Sequence, residues 1–309
     1  MRSRDLGRVD APETGVRESG ETVSDYVDAG LVLPRRLATG RTAGPAPGTR
    51  SASDGSTAPD LADWRPPAAG TVDPRMVAAA GTLLAGLDQD GLAGAVLQCE
   101  RPADGHLLMD IAAHAPQRLR AVLPLPARRV VADVPRLMAH GLVGFSFAGA
   151  PSLDAAWWDA MLRPLAAHGL HLHLDVPPES WDALLPVVLG QGVPVRLALP
   201  RTADHLCRAW GAFRVLERHA ADEHLWIGFV PVLLRAQGLG RLVDRLLEVA
   251  GPERLVWASG RDSERRGHGL AEQVAALDDL LPDPQVRAAI AGSNARCLAF
   301  GRPRPKREH

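Results

Sequence analysis

The stretch Gly91 to Leu125, GLAGAVLQCERPADGHLLMDIAAHAPQRLRAVLPL, decides the architecture. Gly94 to Gln98 and Leu119 to Pro124 are short apolar runs of strand length, and between them Leu107 to His114 carries its apolar residues at helical spacing. A strand, a helix and a second strand in this order predict two parallel strands joined by a right-handed crossover.

The same alternation continues along the chain. Further strands are predicted at Leu142 to Phe147, Leu170 to Val176, Val193 to Leu199, Leu225 to Val230 and Arg254 to Ala258. Helices are predicted at Pro74 to Leu87, Val131 to His140, Ala155 to His168, Pro178 to Gly190, Ala203 to Ala221 and Leu239 to Ala250, several of them closing on a glycine. That gives seven strands, and an eighth is expected before Pro74, near Asp60 to Trp64. About eight such units over this length close a sheet on itself, so the expected fold is α/β, a (β/α)8 TIM-like barrel. An open doubly wound sheet is the rival. Neither GxGxxG nor GxxxxGK[ST] is present to mark one.

Residues 1–58 are rich in Gly, Ser, Thr, Pro, Arg and Asp, and are read as a disordered or flexible N-terminal extension. One apolar patch within them, Ala29 to Leu33, could dock on the barrel or contact a second subunit. The barrel is placed at 59–303 and a flexible C-terminal tail at 304–309. Of 309 residues 46% are apolar, and 35 Lys and Arg face 36 Asp and Glu, which points away from nucleic acid. Lys306 is the single lysine. The longest apolar runs, such as Leu184 to Leu189, are too short to cross a bilayer, and Met1 to Asp10 lacks the apolar core of a signal peptide. A cytoplasmic location without membrane attachment is expected. Three scattered cysteines, Cys99, Cys207 and Cys297, suit free thiols.

From about residue 90 to 302 the chain resembles the amidohydrolase-related (amidohydrolase type 2) barrels, nearest their 2-pyrone-4,6-dicarboxylate lactonase-like members. The quoted Gly91 to Leu125 unit carries part of the likeness. So do HGLVGFSFAG, AAWWDAMLRPLAAHGLHLHLDV and GPERLVWAS, and above all the closing Asn-x-x-x-Leu-x-Phe at Asn294, Leu298 and Phe300. The resemblance implies a hydrolase or lactonase whose reactive groups stand at the C-terminal ends of the strands.

Against that pattern the catalytic positions are depleted. The family's Asp-x-His-x-His on the first strand is missing, since no histidine precedes His106. Asp175 stands where a later family histidine faces the pocket. Ala198 and Leu199 replace a polar pair and leave Arg201 in register. Ser146 and Ala148 take the places of an arginine and an asparagine, and Gly260 that of the aspartate that activates water. Asp262, two residues on, is the candidate substitute.

His171, His173 and Asp175 alternate along one predicted strand, so all three share a face, which the resemblance turns into the barrel. The catalytic candidates are therefore Asp175, His173 and Asp262, and the substrate-binding candidates His171, Ser146, Arg201 and Arg261. Arg196 and Arg235, at or near strand ends, are further anion-binding candidates. Gly144 to Gly149 approaches a G-x-S-x-G elbow, but Phe145 and Phe147 suit a plain strand. Trp157, Trp158, Trp181 and Trp210 are expected to pack helices on the barrel. No cofactor is assigned; a divalent metal is the one cofactor weighed. The reading is a catalytically degenerate barrel that binds a small carboxylate or lactone, or a protein partner or second copy of itself. The alternative is an active hydrolase, lactonase or decarboxylase on a small carboxylate with a rebuilt site, with or without a metal.

Overall fold

The computed structural model describes residues 26–32, 73–99, 104–125, 134–150, 154–199, 213–230, 240–259 and 270–301. Eight parallel strands follow one another in sequence order, β1 Tyr26–Val32, β2 Leu92–Gln98, β3 Leu119–Pro124, β4 Leu142–Ala148, β5 His171–Asp175, β6 Val195–Ala198, β7 Leu225–Phe229 and β8 Leu255–Trp257. Helices α1 Pro74–Gln89, α2 Gly105–His114, α3 Val134–Ala139, α4 Ala155–His168, α5 Trp181–Leu189, α6 Phe213–His219, α7 Gly240–Ala250 and α8 Leu270–Leu280 alternate with them. After α8 come α9 Pro284–Ala288, a π-helical turn Ala289–Ser293 and α10 Asn294–Phe300. This is an α/β TIM-like barrel.

The first strand corrects the expectation. It lies at Tyr26–Val32, inside the segment read as an extension, whereas Asp60 to Trp64 falls outside the described residues. It pairs in parallel with β2 through Val27 with Gly94 and Val32 with Gln98, and its ladder is interrupted twice by register shifts. Tyr26, Val27 and Ala29 are buried in it, so a barrel that needs an eighth strand takes the one apolar run available. The seven strands after it lie within about two residues of their predicted bounds at either end.

Two layers fill the interior. At the N-terminal ends of the strands, Val27, Ala29, Trp226 and Val256 pack with Ala295, and Val96 and Val122 pack with Ala299, so α10 closes that end. Asn294 fixes the plug: its Nδ2 donates to the Pro252 and Leu255 carbonyls, each at 2.7 Å. Nearer the other end the interior turns polar, with His171, His173, Arg196 and Asp28 all buried. Outside, Trp158 and Trp181 are fully buried between helix and sheet, while Trp210 lies outside the described residues. Trp158 meets Phe147 and Trp157 edge to face at 5.3 and 4.8 Å between centroids. Among the described residues no helix is long and apolar enough to cross a membrane, and Cys99 and Cys297 are free thiols.

Candidate functional site

The polar layer is assembled from six strands and the segment that follows β8. On β5 the two-residue period places His171 and His173 on one face, their rings stacked at 4.7 Å between centroids and 14° between planes. The parallel ladder sets Ser146 of β4 beside His173 and Ala148 beside Asp175, and on the other side Arg196 of β6 beside His173. Gln98 reaches in from the end of β2 and Asp28 from β1.

His173 Nδ1 is within 2.9 Å of Gln98 Nε2 and 3.1 Å of Arg196 Nη1. A guanidinium only donates, so Nδ1 accepts and the imidazole carries its proton on Nε2. Burial is the largest influence on both histidines and the Arg196 charge the next. Together they hold His171 down to about 3 and His173 well below the ordinary value, so both rings are neutral at pH 7.

The guanidinium itself lies against two glycines. An ideal β-carbon on Gly228 of β7 would stand 2.6 Å from Arg196 Nε and 2.8 Å from Nη2. One on Gly30 of β1 would stand 3.0 Å from Nη2. Gly144 of β4 serves His171 in the same way, since a β-carbon there would meet the His171 carbonyl oxygen and stand 2.5 Å from its ring Cδ2.

Beneath this lies Asp28, wholly buried. Its Oδ1 accepts the backbone N–H of Gly30 at 2.9 Å and of Ser259, just past β8, at 3.0 Å. Desolvation raises its pKa, opposed by the Ser259 hydroxyl, by these two N–H groups and by the Arg196 charge. Among the described residues no backbone ladder joins β1 to β8, and the Asp28 carboxyl bridges the two across that seam.

At the C-terminal ends of the strands these groups open into a small cavity of about 50 Å3, lined by Gln98, Ser146, His173, Asp175, Arg196 and Gly228 among others. That is room for a carboxylate group or a few waters. Four of the candidates read from the sequence, His171, His173, Asp175 and Ser146, are thus gathered on two neighbouring strands, with Asp175 half-buried at the rim. Asp262, Arg201, Arg261 and Arg235 lie outside the described residues. Ser146 sits within β4, its Oγ donating to the Leu123 carbonyl at 3.5 Å, and not on a strand-to-helix turn; the elbow geometry is absent.

Asp28, Gly30, Gln98 and Gly228 were not singled out in the sequence. One signal was available: Arg196 interrupts the apolar run of a strand whose neighbours Val195 and Leu197 are fully buried, and a charge there must face something built for it.

A zinc ion does not fit this donor set. β1 reads Asp28-Ala29-Gly30-Leu31-Val32 and so offers one carboxylate and no imidazole. Among the described residues no three His, Cys, Asp or Glu side chains converge as metal ligands.

No family model and no curated protein matches the chain. Solved structures do. A Pseudomonas putida protein described as a 2-pyrone-4,6-dicarboxylic acid hydrolase superposes with a TM-score of 0.67 at 18% identity, over 89% of this chain and 97% of that one. An Acinetobacter baumannii protein of the same description, with citric acid bound, gives 0.64 at 15% identity over 89% and 99%. A Burkholderia multivorans amidohydrolase with bound zinc gives 0.55 at 16% identity over 71% and 87%. At such identities the likeness is one of architecture, and the chain shares its barrel fold with these amidohydrolase and dicarboxylate hydrolase structures.

Proposed function

We propose that the barrel binds a small carboxylate at its mouth and does not hydrolyse it. The observation that carries this reading is the tautomer imposed on His173. With Nδ1 accepting from Arg196, the ring offers the cavity an N–H, beside the guanidinium and the Gln98 amide. Donors aimed at one small space suit carboxylate oxygens. Asp175 at the rim favours a ligand with a hydroxyl group beyond its carboxylate. Neither neutral imidazole is suited to activating water: His173 spends its lone pair on Arg196, and His171 is held near 3.

The test is calorimetric titration with citrate, hydroxy acids and unsubstituted dicarboxylates at low salt, alongside a lactonase assay on 2-pyrone-4,6-dicarboxylate. Saturable binding weakened at least about tenfold by Arg196→Met, without turnover, is expected. Hydrolysis abolished by Asp175→Ala would establish the other reading, a metal-free hydrolase. That reading draws its support from Ser146 and His173 standing side by side on β4 and β5.

A further inference from the structure

We propose that the Arg196 guanidinium takes the place of a metal ion in this barrel, so that the cation at the mouth is part of the chain. Three observations meet at this residue. The C-terminal part of β1, Gly30 to Val32, carries no imidazole. At Gly30 an ideal β-carbon alone would be 3.0 Å from Arg196 Nη2 and 3.1 Å from the Ala258 β-carbon, so an imidazole at 30 and the guanidinium exclude one another. On the neighbouring strand β7, Gly228 leaves the space in which Arg196 Nε and Cζ lie, where its β-carbon would stand 2.6 and 2.9 Å away.

A buried charge is retained only where its surroundings accept it. Here the nearby groups include His173 Nδ1, which accepts from Arg196 at 3.1 Å, and the Asp28 carboxyl, whose pKa the guanidinium lowers against the effect of burial. A fixed monovalent cation of this kind repels a divalent ion entering the same cavity, and it leaves His173 protonated on Nε2, facing away from a metal-binding role. The glycines and the arginine are thus one unit. A side chain at Gly228 displaces the guanidinium, one at Gly30 crowds it, and removing the guanidinium makes Gly228 dispensable. The inference holds whether or not the mouth binds carboxylate, and neither measurement below uses a carboxylate ligand.

The first experiment is a thermal double-mutant cycle on the full chain. Gly228→Ala is expected to lower the melting temperature by roughly 3 to 8 °C in the wild-type background, and by less than about 1 °C when combined with Arg196→Met. Recovery of a folded protein by the second change, where the first alone prevents folding, supports the proposal equally. An equal loss in both backgrounds overturns it. The second experiment is zinc retention after dialysis, measured by elemental analysis. The wild-type chain is expected to retain little, and the variant Gly30→His, Val32→His, Arg196→Met about one equivalent. One equivalent held by the wild-type chain and lost in His173→Ala overturns the proposal, as does a folded triple variant that retains none.

Discussion

Arg196 Nη1 donates to His173 Nδ1 at 3.1 Å, and the two side chains come from strands in parallel register, His173 opposite Arg196. That hydrogen bond sets the tautomer of His173, and the same guanidinium charge adds to burial in keeping both stacked rings neutral.

Acid stability follows from this arrangement. The unfolded chain protonates His171 and His173 near the ordinary value of 6.5, while in the folded protein His171 waits until about 3 and His173 titrates well below 6.5. Stability that is complete above pH 6.5 is therefore lost as the pH falls through this window, at about 1.4 kcal/mol per unit for each ring. Urea midpoints at pH 7.5, 6 and 5 should fall accordingly, and His171→Leu should remove about half of the slope contributed by the pair. An unchanged slope in that variant would show the ring to be protonated in the fold.

Asp28 acts in the opposite sense. Its raised pKa means that its contribution is complete below 3.8 and is lost as the pH rises through the folded value. Asp28→Asn keeps an acceptor oxygen for the Gly30 and Ser259 N–H groups and should cost less than about 1.5 kcal/mol. Asp28→Ala strands both and should cost about 2 to 4 kcal/mol. Chemical denaturation of the two variants checks this, and equal losses would mean that the negative charge, rather than the acceptor, is what the seam requires.

Gly144→Ala should leave little or no folded protein. Its β-carbon would collide with the His171 carbonyl and ring inside the β4 to β5 ladder, where neither partner can withdraw. A loss above about 3 kcal/mol is expected, read from circular dichroism and soluble yield. A near-native melt would require His171 to have another position.

Asn294→Ala removes two donors of 2.7 Å geometry from the carbonyls of Pro252 and Leu255. A loss of about 2 kcal/mol is expected, with hydrogen exchange rising first in β8 and α10.

Much of this architecture was legible because parallel strands buried on both faces are written as continuous apolar runs, as in Leu225–Phe229, which lies within one residue of its predicted bounds. β1 was not, because Asp28 and Gly30 break its apolar run and the composition around it is that of a solvated segment. The shared face of His171, His173 and Asp175 follows from strand period alone. The partners that give it meaning do not, since Gly30, Gln98, Arg196 and Gly228 sit on four other strands and meet only once the sheet has closed. Two of them are glycines, whose contribution is the volume they leave empty. Periodicity has no sign for that.

The seam between first and last strands also has a history. Asp28 and its partner Ser259 are 231 residues apart, so during synthesis the strand made earliest waits for one made nearly last. At ribosomal rates that interval is on the order of tens of seconds, during which an exposed strand edge stands ready for the wrong neighbour. A chaperone that shields nascent Tyr26–Val32, or a slower ribosome, should therefore change the yield of native protein more than its final stability.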